Sequence, residues 1–222
     1  SGAITGGKAV IVLDDPKAPP VTVDQVHGEF TLSDDANRII IPLIEFVNGD
    51  THWRISGDVA LPNTPSDGWA FTLRSEGATI MTDRSGRPPI KIDQVTINGQ
   101  IEQGFKAVRL SAFQAKGPAL DIHGSALFGS TPDHEGLRLE INATKSDALS
   151  LLAFWPSFLV PEVRSYLGQA IEGGTALQAI YRLDLDPAGL RAVFSKDPIP
   201  DSAVTLDIDF ADTRLRPDKG CL

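Results

Sequence analysis

Short segments in which apolar and polar residues alternate recur along most of the chain, and they constrain the fold more than any other feature. In WRISGDVAL, Trp53, Ile55 and Val59 fall on one side of an extended strand, while Arg54 and Asp58 fall on the other. Later segments with the same period of two place further large residues on the apolar side: Trp69, Phe71, Leu120, Ile122, Leu137 and Leu139. Roughly a dozen antiparallel strands, each with one apolar and one polar face, are predicted.

An internal repeat indicates how these strands are arranged. VTVDQV, which begins at Val21, returns as IKIDQV at Ile90, 69 positions later, and VTLDIDF at Val204 is a weaker third copy. In the first two copies the apolar phase slips by one residue after Asp-Gln, which predicts a β-bulge. We therefore expect a mainly β protein: an elongated, curled antiparallel sheet, groove-like or sandwich-like, built from repeated strand units.

A longer match follows each of the first two copies. The segment 43–61 resembles the segment 110–128 at a spacing of 67 residues, with Phe46 matching Phe113 and Gly57 matching Gly124. Repeated units of this size are typical of an array that extends a sheet in one direction.

One segment departs from the strand pattern, namely LLAFWPSFLVPEVRSYLG from Leu151 to Gly168. Ser146 is the predicted N-cap of a first helix that Pro156 ends, and Pro161 starts a second helix that Gly173-Gly174 closes. The chain is thus divided into repeated strand units (1–145), one short helical insertion (146–174) and further strands of the same sheet (175–222). The insertion either covers one end or face of the sheet or forms a hydrophobic gate through Phe154, Trp155 and Phe158.

Charge and composition exclude some classes of protein. The 20 basic and 29 acidic residues give a net charge of −9, so a surface that follows phosphates would work against the field of the molecule. Nucleic acid is therefore not an expected partner. Cys221 is the only cysteine, which rules out an internal disulfide. From Ser1-Gly2 at the start and Gly-Cys-Leu at the end, we expect an excised piece of a longer protein.

No motif predicts a catalytic or metal site. The sequence lacks a glycine-rich phosphate loop, a nucleophile elbow, an HExxH motif and a cysteine-based site. Asp50 with His52 and Asp121 with His123 form two Asp-x-His pairs, but the alternation places each pair on the polar side of its strand. We therefore predict a non-enzymatic protein without catalytic residues, metal ligands or cofactors. A carbohydrate-active enzyme, with two carboxylates facing each other in a cleft, is the third and weakest hypothesis.

The segment DALSLLAFWPSFLVPEVRSYLGQAIEGGTALQAIYRLDL, from Asp147 to Leu185, combines a helix ending in Trp-Pro, a Pro-initiated helix ending near Gly-Gly and an alternating strand. It resembles the central domain, of unknown function, of YhdP-like proteins in the AsmA/TamB superfamily. ISGDVALP, from Ile55 to Pro62, is also similar to that family. The resemblance implies a periplasmic portion of an inner-membrane-anchored protein in a Gram-negative bacterium. Its partners would be phospholipid acyl chains and, through the parent protein, the envelope membranes.

Two functions follow as hypotheses. In the first, the protein forms part of a hydrophobic groove for phospholipid transport between the inner and outer membranes. In the second, it is a structural or protein-binding β-sandwich domain of a cell-envelope scaffold, whose apolar faces pack on each other. A charge placed at Ile122 or Leu139 is expected to weaken lipid capture while the fold survives. The residues predicted to contact lipid are Trp53, Ile55, Val59, Trp69, Phe71, Leu120, Ile122, Leu137, Leu139, Phe154, Trp155 and Phe158. The sequence gives no indication of the oligomeric state.

Overall fold

The computed structural model describes residues 2–11, 21–48, 51–64, 67–80, 89–154, 161–195 and 197–216, and strands account for most of them. The strands are β1 (Gly2–Ile11), β2 (Val21–Leu32), β3 (Arg38–Asn48), β4 (Thr51–Ala60), β5 (Trp69–Ile80), β6 (Ile90–Ile101), β7 (Ala107–Gly117), β8 (Leu120–Thr131), β9 (His134–Asp147), β10 (Ile171–Leu185) and β11 (Val204–Leu215). The helices are α1 (Ala148–Phe154), α2 (Pro161–Ala170) and α3 (Pro187–Ser195). The predicted mainly β class is confirmed.

All eleven strands belong to one sheet, and each pairs antiparallel with the next strand in sequence, from β1 to β11. Within the described residues β1 and β11 do not pair with each other, so the sheet is open. The described strands therefore belong to one open sheet, and not to the two separate sheets of a sandwich.

The internal repeat is visible in the strand pairing, and equivalent positions are separated by a constant number of residues. β2 and β6 begin at positions 21 and 90, and β3 and β7 begin at positions 38 and 107, a difference of 69 in each case. The registers repeat as well: Ile41 pairs with Gly57 as Leu110 pairs with Ala126, and after a bulge Ile44 pairs with Ile55 as Phe113 pairs with Gly124. The strands β1 to β4 therefore form a unit that β5 to β8 repeat. The spacing of 67, which matched Phe46 with Phe113 and Gly57 with Gly124, was wrong.

The Asp-Gln steps coincide with irregular pairing in both units. In β2 the register against β1 shifts between Val23 and Val26, so one extra residue lies at Asp24-Gln25, as predicted. In β6 the pairs on either side of Asp93 keep the same register, but Asp93 and the opposite Gly77 do not pair. Gly77 has a φ of 87°, a conformation that glycine adopts without strain. The second copy is therefore irregular without a net shift.

The same irregularity marks β9 as the start of a third unit. Thr144 pairs with Gln178 and Ser146 with Ala176, while Lys145 between them has a φ of 45° and pairs with no residue of β10. This repeats the pairing of β5 with β6, so β9, β10 and β11 correspond to the first three strands of a unit. Because strands alternate in direction, β11 runs opposite to β2 and β6. VTLDIDF is therefore not a third copy of VTVDQV.

The helical insertion lies between the first two strands of this third unit. The N-cap of α1 is Asp147 and not Ser146, because Asp147 Oδ2 accepts a hydrogen bond from the Ser150 N–H at 2.7 Å. Ser146 is instead fully buried, and its Oγ accepts a hydrogen bond from the Asp121 N–H at 3.0 Å. α2 ends at Ala170, so Gly173-Gly174 lies within β10. The two helices span 148–170, which is narrower than the predicted 146–174.

A third helix was not predicted. α3 follows Asp186-Pro187, where Asp186 Oδ1 accepts a hydrogen bond from the Gly189 N–H at 2.7 Å and Pro187 occupies the first helical position. Leu190 and Val193, three residues apart, pack against β10. The chain therefore has one short helix besides the predicted insertion, and the Asp-Pro start and this apolar spacing are a readable signal for it.

Candidate apolar binding face

All nine strand residues predicted to contact lipid lie on one face of the sheet. Directly paired residues of antiparallel strands share a face, so the registers define rows that cross the sheet. One row consists of Ile39, Val59, Phe71, Gly99, Leu110, Ala126, Leu139, Leu183 and Val204. The next consists of Ile41, Gly57, Leu73, Ile97, Phe113, Gly124, Ile141, Tyr181 and Leu206. Because these rows carry no charge, we call this side the apolar face.

Ion pairs occupy the opposite, polar face. Glu45 Oε1 lies 2.8 Å from both His52 Nε2 and Arg54 Nε, and these hydrogen bonds, the one from His52 foremost, hold the pKa of Glu45 below its ordinary value. Hydrogen bonds from Asn142 and Arg182 likewise lower the pKa of Glu140. The polar face is therefore stabilised by its own cross-strand pairs.

The two Asp-x-His pairs do not form a metal or acid–base site among the described residues. His123 is exposed, and Asp121 Oδ2 lies 3.9 Å from Lys116 Nζ on the neighbouring strand. Asp50 lies outside the described residues. Among the described residues no group of three or more His, Cys, Asp and Glu side chains could hold a metal ion.

In the described part of the chain, α1 and α3 make their main contacts with β9 and β10. Leu120 is 1 % exposed and Ile122 is 7 % exposed, in a cluster against which Leu151 and Ala153 of α1 pack. At the other end of these strands, Leu190 of α3 packs on the cluster that contains Leu183 and Leu185. This part of the face is a filled protein core.

Among the described residues, no helix makes its main contacts with the apolar face of β3, β4 and β5, and we call this region the uncovered part. Val59, Trp69 and Phe71 are only half-buried there, whereas Ile55 is buried and the half-buried Trp53 packs against the cluster that contains Leu120. In the described part of the chain, the helices make their main contacts with β9 and β10 instead. Leu137 and Leu139 are also half-buried, but they pack on the cluster beneath α3.

Large side chains lie flat across glycines of neighbouring strands. A Cβ atom at Gly99 would lie 2.5 Å from Cζ of Phe71, and one at Gly124 would lie 2.8 Å from Cζ of Phe113. Leu73 Cδ2 would be 3.0 Å from a Cβ at Gly57. These glycines keep the face shallow because the side chain opposite rests on backbone. The alternation of apolar residues did not single them out, since only the register shows which side chain each glycine faces.

The three helical residues that were predicted to contact lipid cannot all be placed on the apolar face. Phe154 is the last residue of α1, while Trp155 and Phe158 lie outside the described residues. Tyr166 on α2 is 63 % exposed. None of the described helices is long and apolar enough to cross a membrane.

Two further polar features lie near the rows. Burial raises the pKa of the Tyr181 hydroxyl to about 12, so this residue stays neutral on the apolar face. A depression near the edge of these rows is lined by Arg38, Asp58, Ala60, Ala70, Phe71, Thr72 and Arg74. There Arg38 Nη1 donates a hydrogen bond to Asp58 Oδ2 at 3.0 Å, and this charged lining does not suit an acyl chain.

No protein-family model, curated protein or solved structure was found to match this chain.

Proposed function

We propose that the apolar face binds phospholipid acyl chains and that the protein is a non-enzymatic segment of a lipid-carrying groove. The observation that carries the proposal is the uncovered part of the apolar face, where large residues on three adjacent strands of one open sheet are half-buried. An extended apolar surface of this kind is typical of a binding surface.

The chemistry of the face suits an acyl chain better than a polar ligand. Burial of each methylene group contributes roughly 0.8 kcal/mol and requires no directional contact. The rows of the apolar face contain no charge, and the ion pairs are confined to the other side of the sheet. A shallow face with rings resting on glycines leaves room for a chain to lie across several strands.

The family resemblance gives this activity a setting. We propose that the protein is a periplasmic portion of an AsmA-like, inner-membrane-anchored protein in a Gram-negative bacterium. Its groove would then carry phospholipid between the inner and outer membranes. The open, mainly β sheet with a helical insertion between β9 and β10 supports this assignment.

Two adjacent residues provide a matched test. Phe71→Asp places a charge on the uncovered part, whereas Ala70→Asp places the same charge one residue away on the polar face. We expect Phe71→Asp to reduce capture of a fluorescent phospholipid from vesicles about tenfold or more, because a carboxylate would have to be desolvated against the acyl chain. Ala70→Asp should capture lipid as the wild type does. Equal capture by both variants, with circular dichroism showing that both fold, would contradict the proposal.

Ile122 is not a suitable test position. It was expected to tolerate a charge, but its side chain is 7 % exposed and lies in the filled core beside α1. An unpaired charge there would destabilise the fold itself, so a loss of lipid capture would not distinguish binding from unfolding.

The second candidate function is a structural scaffold. It is favoured by the filled core at β8 to β10, where Leu120 and Leu183 are each 1 % exposed and leave no space for a ligand. In that case the uncovered part would be covered by protein. A wild-type protein that captures no phospholipid and remains monodisperse would support the scaffold.

A further inference from the structure

The turn between β6 and β7 has the same backbone as the equivalent turn between β2 and β3. In the first turn the Ala36 N–H donates a hydrogen bond to the Ser33 carbonyl at 2.9 Å, and in the second the Phe105 N–H donates to the Glu102 carbonyl at 3.0 Å. In each turn the accepting residue also donates its own N–H to the first residue of the next strand, at 2.8 Å. Ala36 has a φ of 55° and Phe105 a φ of 57°. This turn is therefore a property of the repeated unit.

The two turns differ in the side chain at the position of positive φ. A left-handed backbone is unfavourable for a bulky side chain, and the alanine of the first turn shows that the turn needs no ring. Phe105 is nevertheless 74 % exposed, the highest value among the large apolar side chains that the structure describes. Neither the turn nor the core accounts for this ring.

Two further exposed apolar side chains lie beside this turn. Val108 and Phe128 pair directly across β7 and β8 and are 36 % and 55 % exposed. They belong to a row on the apolar face that continues through Ile101 to Trp69, where β6 ends and β5 begins. We call Phe105, Val108 and Phe128 the apolar rim. Through Trp69 this rim is continuous with the uncovered part of the apolar face.

The apolar rim is specific to the second unit. The equivalent positions of the first unit hold Ala36, Ile39 and Val59, of which Ile39 and Val59 are half-buried. The second unit thus places two rings, Phe105 and Phe128, where the first has an alanine and a valine. Exposed apolar groups that the fold itself does not require are typical of an interaction surface.

The charges around the rim are of both signs. Lys106 is exposed next to Phe105, and in the described part of the chain it forms no ion pair. Arg109 Nε lies 3.4 Å from Glu102 Oε1, and Glu135 is exposed at the start of β9. Mixed charges suit zwitterionic headgroups, whereas the net charge of −9 disfavours a strongly anionic surface.

The area of the rim favours a bilayer over a protein partner. An aromatic side chain buries roughly 150–250 Å² when fully covered, so two partly exposed rings and one valine present roughly 300 Å² in all. A stable protein interface buries about 800 Å² on each partner. Apolar side chains can enter the headgroup region of a bilayer without a surface of matching shape.

We propose that the apolar rim inserts into the headgroup region of a zwitterionic phospholipid bilayer, so that the protein docks on a membrane surface at this margin of the sheet. Phe105 and Phe128 supply the inserted apolar groups, and the ammonium group of Lys106 meets lipid phosphate. This docking does not require the apolar face to carry lipid. It would, however, bring Trp69 and the uncovered part next to the bilayer.

A double variant that restores the residues of the first unit provides the test. We expect the wild type to co-sediment with phosphatidylcholine vesicles, and Phe105→Ala, Phe128→Val to bind them about tenfold or more weakly. Phe105→Ala alone should weaken binding about threefold or more, and its fold is safe because Ala36 occupies the same turn. Leu177→Ala, the control, removes a side chain that is 50 % exposed on β10 and should bind as the wild type does. Phosphatidylglycerol vesicles should bind the wild type no more tightly than phosphatidylcholine vesicles.

Three results would overturn the proposal. They are the absence of vesicle binding by the wild type, equal binding by the double variant and the wild type, and a concentration-dependent dimer that the double variant abolishes in sedimentation experiments. Vesicle binding and lipid carriage are measured separately. A wild type that binds vesicles through the rim but carries no phospholipid in native mass spectrometry would contradict the lipid groove and support the docking surface.

Discussion

At the scale of single residues, position on the apolar face does not determine what a side chain does. Leu120 and Phe71 both follow the alternation and both point to the same face, yet Leu120 is 1 % exposed and Phe71 is half-buried. Leu151 and Ala153 of α1 pack on the cluster that contains Leu120, whereas Phe71 is not a member of that cluster. The sequence predicts the face correctly, because a period of two specifies sides, but it contains no local signal for the cover that another element provides.

This difference has a measurable effect on stability. We expect Leu120→Ala to lower the free energy of unfolding by about 2–5 kcal/mol, because a cavity forms in a filled core. Val59→Ala should cost less than about 1.5 kcal/mol, since Val59 is already partly solvated and leaves no closed cavity. Urea unfolding of both variants measures the difference. A similar cost at both positions would show that the uncovered part is packed as tightly as the core.

Glu140 provides a test of the polar face through pH. Hydrogen bonds from Asn142 and Arg182 lower its pKa below the ordinary 4.5, so its contribution to stability is present above that value and is lost as the pH falls through the lowered pKa. Glu140→Gln should therefore flatten the decline of stability in the acid range. Thermal unfolding from pH 7 downward measures this, with Glu135→Gln as an exposed control. If the stability of Glu140→Gln depends on pH as that of the wild type does, the Glu140 carboxylate does not stabilise the polar face.

At the scale of elements, the strands could be predicted but their register could not. The letter match of Phe46 with Phe113 suggested a spacing of 67, whereas the pairing of Ile44 with Ile55 and of Phe113 with Gly124 requires 69. Bulges cause this error, because they change which residues face each other without leaving a strong mark in composition. Asp147 was likewise overlooked as the cap of α1, since Ser146 is an equally good cap residue until its burial is known.

The cap of α1 can be tested by substitution. Asp147→Ala removes the acceptor for the Ser150 N–H and should lower the free energy of unfolding by about 0.5–2 kcal/mol. Asp147→Asn keeps an acceptor oxygen and should retain most of the wild-type stability. The midpoint of chemical unfolding is the measurement. If alanine and asparagine behave alike, the hydrogen bond does not stabilise the helix that covers the core.

At the scale of the whole molecule, the two faces of the open sheet are stabilised in different ways. Cross-strand ion pairs suit the polar face to water, while the apolar face is filled by helices at one end and left half-buried at the other. The unequal cover distinguishes this sheet from a closed sandwich, in which both apolar faces would be hidden. The proposed lipid groove rests on a surface that the described helices do not cover.

The most direct test of the central proposal is native mass spectrometry of the wild-type protein purified from bacteria without detergent. We expect phospholipid bound at a defined ratio, and we expect Phe71→Asp to lose it while Ala70→Asp retains it. A folded, monodisperse wild-type protein that carries no lipid and takes up none from vesicles would contradict the account, and the apolar face would then be a surface for protein.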